Sequence, residues 1–240
     1  MVEEPLTLAL GLVIGFAIYR LRILDFLGTL AAVSLGIVIG LFAGFEWLFL
    51  LVIFLVLGFA STKYKYDYKK SLGVAEKHHG KRSVDNVLAN GLVPAFIAVL
   101  WFMNSENSLG NMLKAGYIAA IATVTGDTLS SEIGMLSRGK PFLITSFKRV
   151  PTGTHGGVSL LGELGGFSGA LVIGVASYLL GLAELELSLY AALIGGAAGF
   201  HADSILGAVF ERRKIIGNAT VNFLSSITGS LIGFRIALSI

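Results

Sequence analysis

The 240-residue chain is 55% hydrophobic and only 14% charged, with a mean hydropathy of +0.81. A soluble domain carries roughly 25% charged residues, so the composition excludes one and points to a protein embedded in lipid. The absence of cysteine excludes disulfides, thiolate zinc sites and cysteine nucleophiles. Where the charges sit matters more than their small net value of +3, and no nucleic-acid partner is expected.

Apolar stretches of about 20 residues read as transmembrane helices, because lipid forces every backbone group to be satisfied within its own segment. Eight follow one another, at 5–19, 23–44, 46–61, 86–103, 110–134, 158–181, 188–209 and 215–238. The first and third are short, which leaves six or seven spans as alternatives. The expected fold is all-α, a polytopic transmembrane helix bundle forming one integral membrane domain over 1–240. The start, MVEEPL, is acidic. A cleaved signal peptide begins basic, so the first segment is expected to remain as a helix.

Eight spans place Arg20, Arg22, the 62–85 segment, the 137–157 loop and Arg212-Arg213-Lys214 on one side. Of all Lys and Arg, only Lys114 and Arg235 fall elsewhere. The positive-inside rule makes that side cytoplasmic, in the cell membrane if the source is prokaryotic. Glu46, Glu106, Glu184 and Glu186 lie opposite, and both termini face out.

Residues 1–61 form apolar N-terminal spans with the small-residue spacing Gly36-xxx-Gly40-xxx-Gly44. That face lets helices pack closely and is a candidate homodimer surface. The basic, Tyr-rich stretch STKYKYDYKKSLGVAEKHHGKRS follows at 61–83. It fits an interfacial linker held by anionic headgroups, or a lid contacting nucleotide through His78, His79, Lys81 and Arg82. Two adjacent histidines do not specify a metal.

Polar side chains enter the helices from residue 86 onward. Asn86 and Asn90 share one helix face, as do Asn218 and Asn222. Counted from Arg82, Arg138, Arg212 and Lys214, the side chains of Asn90, Asp127, Asp203 and Asn222 lie roughly 12–17 Å deep at 1.5 Å per residue. Glu132 and Glu163 are shallower. A belt of Asn, Asp and Glu at one depth is unlike scattered structural polars, and intramembrane acids mark function by default. Carboxylates at one depth repel unless a proton or a cation is shared. Oxygen donors suit Mg²⁺, Mn²⁺ or Ca²⁺, and Asp127 with Asp203 could hold Mg²⁺ against a nucleotide triphosphate.

GDTLSSEIG at 126–134 carries Asp127, Ser131 and Glu132, and the loop SRGKPFLITSFKRVPTGTHGG at 137–157 follows it. Lys140, Lys148 and Arg149 are candidate phosphate clamps. Gly153, Thr154, Gly156 and Gly157 can bare backbone N–H groups before the next helix, whose N-terminus favours anions. GMLSRGKP at 134–141 nearly matches a P-loop, but Pro141 stands where a hydroxyl should meet the metal, and a helix precedes it in place of a strand. GDTLSSEIG and HADSILGAV at 201–209 are too short to argue an internal repeat.

GDTLSSEIG, the basic linker, GTHGGVSLLG (153–162), HADSILGA and TVNFLSSITG (220–229) together resemble one integral membrane family. It is the family of domain of unknown function 92, which includes the plant phytyl-phosphate kinases and the transmembrane protein 19 group. The likeness runs from about residue 80 to the end. Its matching positions are Asn86, Asn90, Asp127, Ser131, Glu132, Gly153, Thr154, Gly156, Gly157, Asp203 and Asn222. The family usually has a Gln near Asn86, where this chain has Asp85-Asn86, and acids before the last Val-Asn, where it has Gly217-Asn218-Ala219-Thr220.

The resemblance implies CTP-dependent phosphorylation of an isoprenyl monophosphate to its diphosphate, assisted by Mg²⁺, with CTP as co-substrate. In that scheme Asp127 and Asp203 hold the metal, and Glu132 is a second ligand or orients Lys148. Ser131, the basic residues and the 153–157 backbone bind the nucleotide. Asn86, Asn90, Asn218 and Asn222 meet the acceptor. A lipid cytidylyltransferase, a polyprenol kinase and an ion-coupled transporter are the alternatives.

Overall fold

The computed structural model describes residues 3–76, 80–104 and 109–240. His78 and His79, proposed as lid residues, and Glu106, assigned to an outer loop, lie outside the described residues. The chain runs through α1 (Glu3–Arg20), α2 (Phe26–Ala43), α3 (Phe45–Lys63), the six-residue α4 (Tyr66–Ser71), α5 (Val84–Asn104), α6 (Leu109–Gly134), α7 (Leu160–Leu179), α8 (Leu185–Glu211) and α9 (Asn218–Ala237). Each apolar segment of the sequence thus becomes one long helix. Among the described residues, α2, α3, α5, α7 and α8 are long and apolar enough to cross a membrane. Two short strands, β1 (Phe142–Leu143) and β2 (Gly157–Val158), pair antiparallel between α6 and α7.

Helix starts follow from their caps. Asp25 accepts from the Gly28 N–H at 2.6 Å to open α2, and Ser159 accepts from the Gly162 N–H at 3.1 Å to open α7. Each satisfies one of the backbone donors that a helix N-terminus leaves orphaned.

The axis of the bundle is α6, buried at every residue from Ala115 to Gly126. Glycines let its neighbours come this close. A Cβ on Gly199 of α8 or Gly229 of α9 would overlap the Thr123 hydroxyl, and one on Gly116 would overlap the Phe234 ring. On α7, a Cβ on Gly162, Gly165 or Gly166 would stand 2.7, 3.0 or 3.2 Å from the carbonyls of Ser130, Leu129 or Gly126. Where lipid offers no hydrophobic contrast, such close van der Waals packing holds helices together. Two π turns, Ala191–Gly195 and Gly207–Glu211, interrupt α8. The first sets Gly195 against Ala119 of α6, and the second sets Gly207 against the Gly156 N–H.

The expected dimer face is used inside the chain. Gly36 and Gly40 are buried, and a Cβ on Gly36 would meet Leu48 of α3 at 3.3 Å. Gly44 closes α2 at φ +98. These glycines seat α3, and they offer no free surface to a second copy.

Filling the α6–α8 contact should therefore cost stability. Gly199→Ala is expected to destabilise by about 1–3 kcal/mol, as overpacking does, read as a lower melting temperature in detergent. Adding Thr123→Ala should recover part of the loss, and an unchanged melting temperature in Gly199→Ala would contradict the contact.

Candidate active site

The C-terminal half of α6, the start of α9, the second π turn of α8 and the 152–158 turn line a polar cleft. Helical spacing puts Asp127, Ser131 and Gly134 on the cleft face of α6. Asp203 enters from α8, and Asn218 and Asn222 from the first turns of α9. The convergence expected from depth alone is present.

Six acids line this cleft, and they sort by partner; Glu76 stands 4.0 Å from Arg82. Glu132 is buried and bonded on both oxygens, to Lys69 Nζ at 2.6 Å and to Thr62 Oγ1 at 2.8 Å, with Arg82 at 3.5 Å. Glu163 faces His201 Nε2 at 3.0 Å, while His201 Nδ1 faces the Ala197 carbonyl at 2.8 Å. Glu211, on the second π turn, faces His155 Nδ1 at 3.1 Å. Asp127 and Asp203 lie within hydrogen-bonding reach of each other. Ser225 donates to Asp203 Oδ2 at 2.9 Å. Among the described residues no basic side chain forms an ion pair with Asp127 or Asp203.

The asparagines form a chain of amides. Asn218 Nδ2 donates to Asn222 Oδ1 at 3.3 Å, and Asn222 Nδ2 reaches Asn90 Oδ1 at 3.2 Å. With the Asn222 amide turned over, its nitrogen donates instead to Asp203 Oδ2 at 3.2 Å. Oxygen and nitrogen of an amide are distinguished only by such networks, and the second orientation places a donor on the carboxylate. Asn90 thereby connects to the cleft through Asn222. Asn86 stands apart and donates to Ser83 Oγ at 3.4 Å.

The 152–158 turn forms one wall. Gly153 and Gly156 adopt left-handed conformations, φ +82 and +75. A Cβ on Gly156 would also stand 2.5 Å from the Ser204 carbonyl. The N–H groups of Thr154 and Gly157 are spent inside the turn, on the carbonyls of Pro151 and Thr154. Those of Gly153, His155 and Gly156 find no acceptor among the described residues, which leaves donors for an anion.

Three expected phosphate clamps sit elsewhere. Lys140, Lys148 and Arg149 are exposed, and none lines the cleft. Arg149 stacks on the Phe142 ring at 3.8 Å and donates to the Lys140 carbonyl at 2.5 Å, which holds it on the outer side of the hairpin. Glu132 cannot orient Lys148, since Lys69, Thr62 and Arg82 occupy it. Among the described residues, the Lys or Arg that lines the cleft is Arg82. Its backbone is strapped to the α1–α2 connection, from the Asp25 N–H to the Arg82 carbonyl at 3.1 Å and from the Arg82 N–H to the Ile23 carbonyl at 3.2 Å.

Residues 61–76 and 80–83 are consequently packed into the fold. Lys69 of α4 is fully buried and also donates to the carbonyls of Ser61 and Thr62. Sequence reasoning missed Lys69, His201 and the His155–Glu211 pair. Nothing local separates Lys69 from Lys70, whereas His201, two residues before Asp203 in an apolar helix, was a signal left unused.

A divalent cation fits the Asp127–Asp203 pair. Two like charges about 4 Å apart repel by about 4 kcal/mol at an effective dielectric of 20, and a shared cation or proton removes that cost. No group of three His, Cys, Asp or Glu converges among the described residues. Mg²⁺ typically takes one or two carboxylates and completes its shell with water and substrate phosphate.

Comparison with known proteins agrees with this architecture. The family described as integral membrane protein DUF92 matches residues 9–230. An uncharacterized membrane protein of Methanocaldococcus jannaschii is 39% identical, over 93% of this chain and 90% of its own length. Protein VTE6, chloroplastic, of Arabidopsis thaliana is 31% identical, over 85% of this chain and 62% of its own. Protein PGR of the same plant is 30% identical, over 89% and 84%. No solved structure matches the chain.

The Lys69–Glu132 pair gives a direct test. Lys69→Met strands a buried carboxylate, and breaking a buried pair costs about 3–5 kcal/mol, so the melting temperature in detergent should fall sharply. Lys69→Met combined with Glu132→Gln should recover most of it. Equal destabilisation by the single and double variants would refute the pairing.

Proposed function

The chain belongs to the DUF92 family of integral membrane proteins, and we propose that it is a kinase which transfers a phosphoryl group from a nucleoside triphosphate to an isoprenyl monophosphate. The observation that carries this reading is the Asp127–Asp203 pair. It is set in a polar cleft beside Arg82 and a glycine turn, while every other acid there has a basic partner. Phosphoryl transfer is mostly positioning and charge neutralisation, and this cleft supplies both. The motif resemblance to phytyl-phosphate kinases supports the acceptor class and CTP as donor.

Asp127 and Asp203 would hold Mg²⁺, which when bound neutralises charge on the nucleotide phosphates. The N–H groups of Gly153, His155 and Gly156 bind phosphate oxygens, and the turned glycines keep side chains out of their way. Arg82 binds the acceptor phosphate, and Asn90 and Asn222 orient it. An acceptor oxygen bonds to the γ-phosphorus, the bond to the β-phosphate bridge breaks, and the nucleoside diphosphate leaves. The acceptor is already an anion, so no general base is needed. By the distribution of Lys and Arg, the cleft faces the cytoplasm.

One contact favours a second reading. His155 is 55% exposed in its side chain and is oriented by Glu211, an arrangement able to take a proton from a lipid alcohol. A polyprenol kinase would use it, whereas a kinase for monophosphates would not.

The purified protein with Mg²⁺, CTP and geranylgeranyl or phytyl phosphate should form CDP one-for-one with lipid diphosphate. No product from folded protein would remove the proposal, and turnover of the free alcohol alone would select the second reading. Asp127→Asn and Asp203→Asn should each lower kcat by roughly 100-fold or more. Lys148→Ala and Arg149→Ala, exposed and outside the cleft, should change kcat/KM by about fivefold at most. His155→Ala should spare the phosphate acceptor and disable an alcohol acceptor.

A further inference from the structure

A second cavity lies beside the polar cleft and has the opposite character. It runs between α1, α2, α3 and α5 and is walled almost wholly by hydrocarbon. Along α3 it extends from Leu48 to Leu55, about 10 Å at the helical rise. Glycines let its walls pack closely. A Cβ on Gly36 would meet Leu48 at 3.3 Å, and one on Gly91 would stand 2.6 Å from Leu35. Its polar lining is confined to Arg82, Asn86 and Asn90.

Those three residues tie it to the cleft. Arg82 lines both cavities. Asn90, lining the apolar one, is bonded to Asn222, lining the polar one. An apolar slot with a guanidinium and two amides at its edge complements an amphiphile that has one hydrocarbon tail and an anionic head. A two-tailed phospholipid matches neither the single slot nor the passage from Arg82 to the carboxylates.

We propose that this slot is the tail site of the isoprenyl phosphate, which delivers the acceptor head past Arg82 to the Asp127–Asp203 cleft. The inference rests on the prenyl-phosphate reading and assigns a role to the apolar N-terminal helices. The first isoprene units are held inside the bundle, and the remainder of a long tail continues towards the bilayer. Acceptors too short to fill the slot forfeit binding energy there, and each methylene lost from an apolar site is worth on the order of tenfold in discrimination.

Two measurements test it. A geranylgeranyl phosphate analogue with a diazirine on its second isoprene unit, photolysed with the full-length protein in detergent, should label peptides of α2, α3 and α5. Excess geranylgeranyl phosphate should compete, and phosphatidylglycerol should not. Labelling confined to outward positions such as Phe16 and Phe96, or equal competition by phosphatidylglycerol, would overturn the proposal. Independently, Ala32→Phe projects a ring into the slot from α2. The ratio of kcat/KM for geranylgeranyl phosphate over dimethylallyl phosphate should fall on the order of tenfold, and an unchanged ratio in active variant would overturn the proposal. Labelling is independent of turnover. Slot labelling without turnover rejects the kinase and keeps the tail site, whereas turnover with labelling elsewhere rejects the tail site alone.

Discussion

Two carboxylates that face one another, with no ion-pair partner among the described residues, are the constraint on which the remaining structure depends. Glu132, Glu163 and Glu211 show what this bundle does with an acid it keeps for itself: Lys69, His201 and His155 stand against them. Asp127 and Asp203 face each other, Ser225 donates to Asp203, and Arg82 acts on Asp127 through its field, without an ion pair to either among the described residues. A site so arranged is electrostatically incomplete by itself. It favours a shared proton or a bound cation, and the proposed function makes that cation the one that holds a phosphoryl donor.

The architecture exists to hold that pair still. Asp127 sits on α6, which packs against α3, α5, α7, α8 and α9, and glycines on α7, α8 and α9 bring three backbones against it at near-contact distance. The second π turn of α8 packs Gly207 on the 152–158 turn and carries Glu211 to His155. π-Bulges recur at functional sites because the extra residue re-aims side chains. Arg82 has a comparable role on the opposite wall. Its backbone is fastened to the α1–α2 connection, and its side chain meets Glu132 and, at 4.0 Å, Glu76. The polar cleft and the apolar slot meet there.

Much of this was legible in the sequence, and for physical reasons. Continuous apolar runs in lipid have few alternatives to helix, so all the long helices fall where composition places them. Asp127, Asp203, Asn90 and Asn222 meet because equal depth along separate helices confines side chains to one layer. Sideways position is different, since depth does not state which face a residue presents to which neighbour. Glu132 shares GDTLSSEIG with Asp127, yet five residues along a helix turn it about 140° away, to Thr62 and Lys69. Lys148 and Arg149 follow the motif in sequence, but the β1–β2 hairpin turns them outward, and Arg82, distant in sequence, takes the place expected of them. The glycines of α2 carried a correct packing signal whose partner was α3 of the same chain.

The most direct test is Mn²⁺ binding by electron paramagnetic resonance, with Mn²⁺ as a probe of the divalent site in the detergent-solubilised protein. The account predicts that CTP produces one tightly held Mn²⁺ per chain, and that this signal is lost in both Asp127→Asn and Asp203→Asn while each variant stays folded. Retention of the CTP-dependent signal in both variants, or no CTP-dependent binding in the folded wild-type protein, would contradict it.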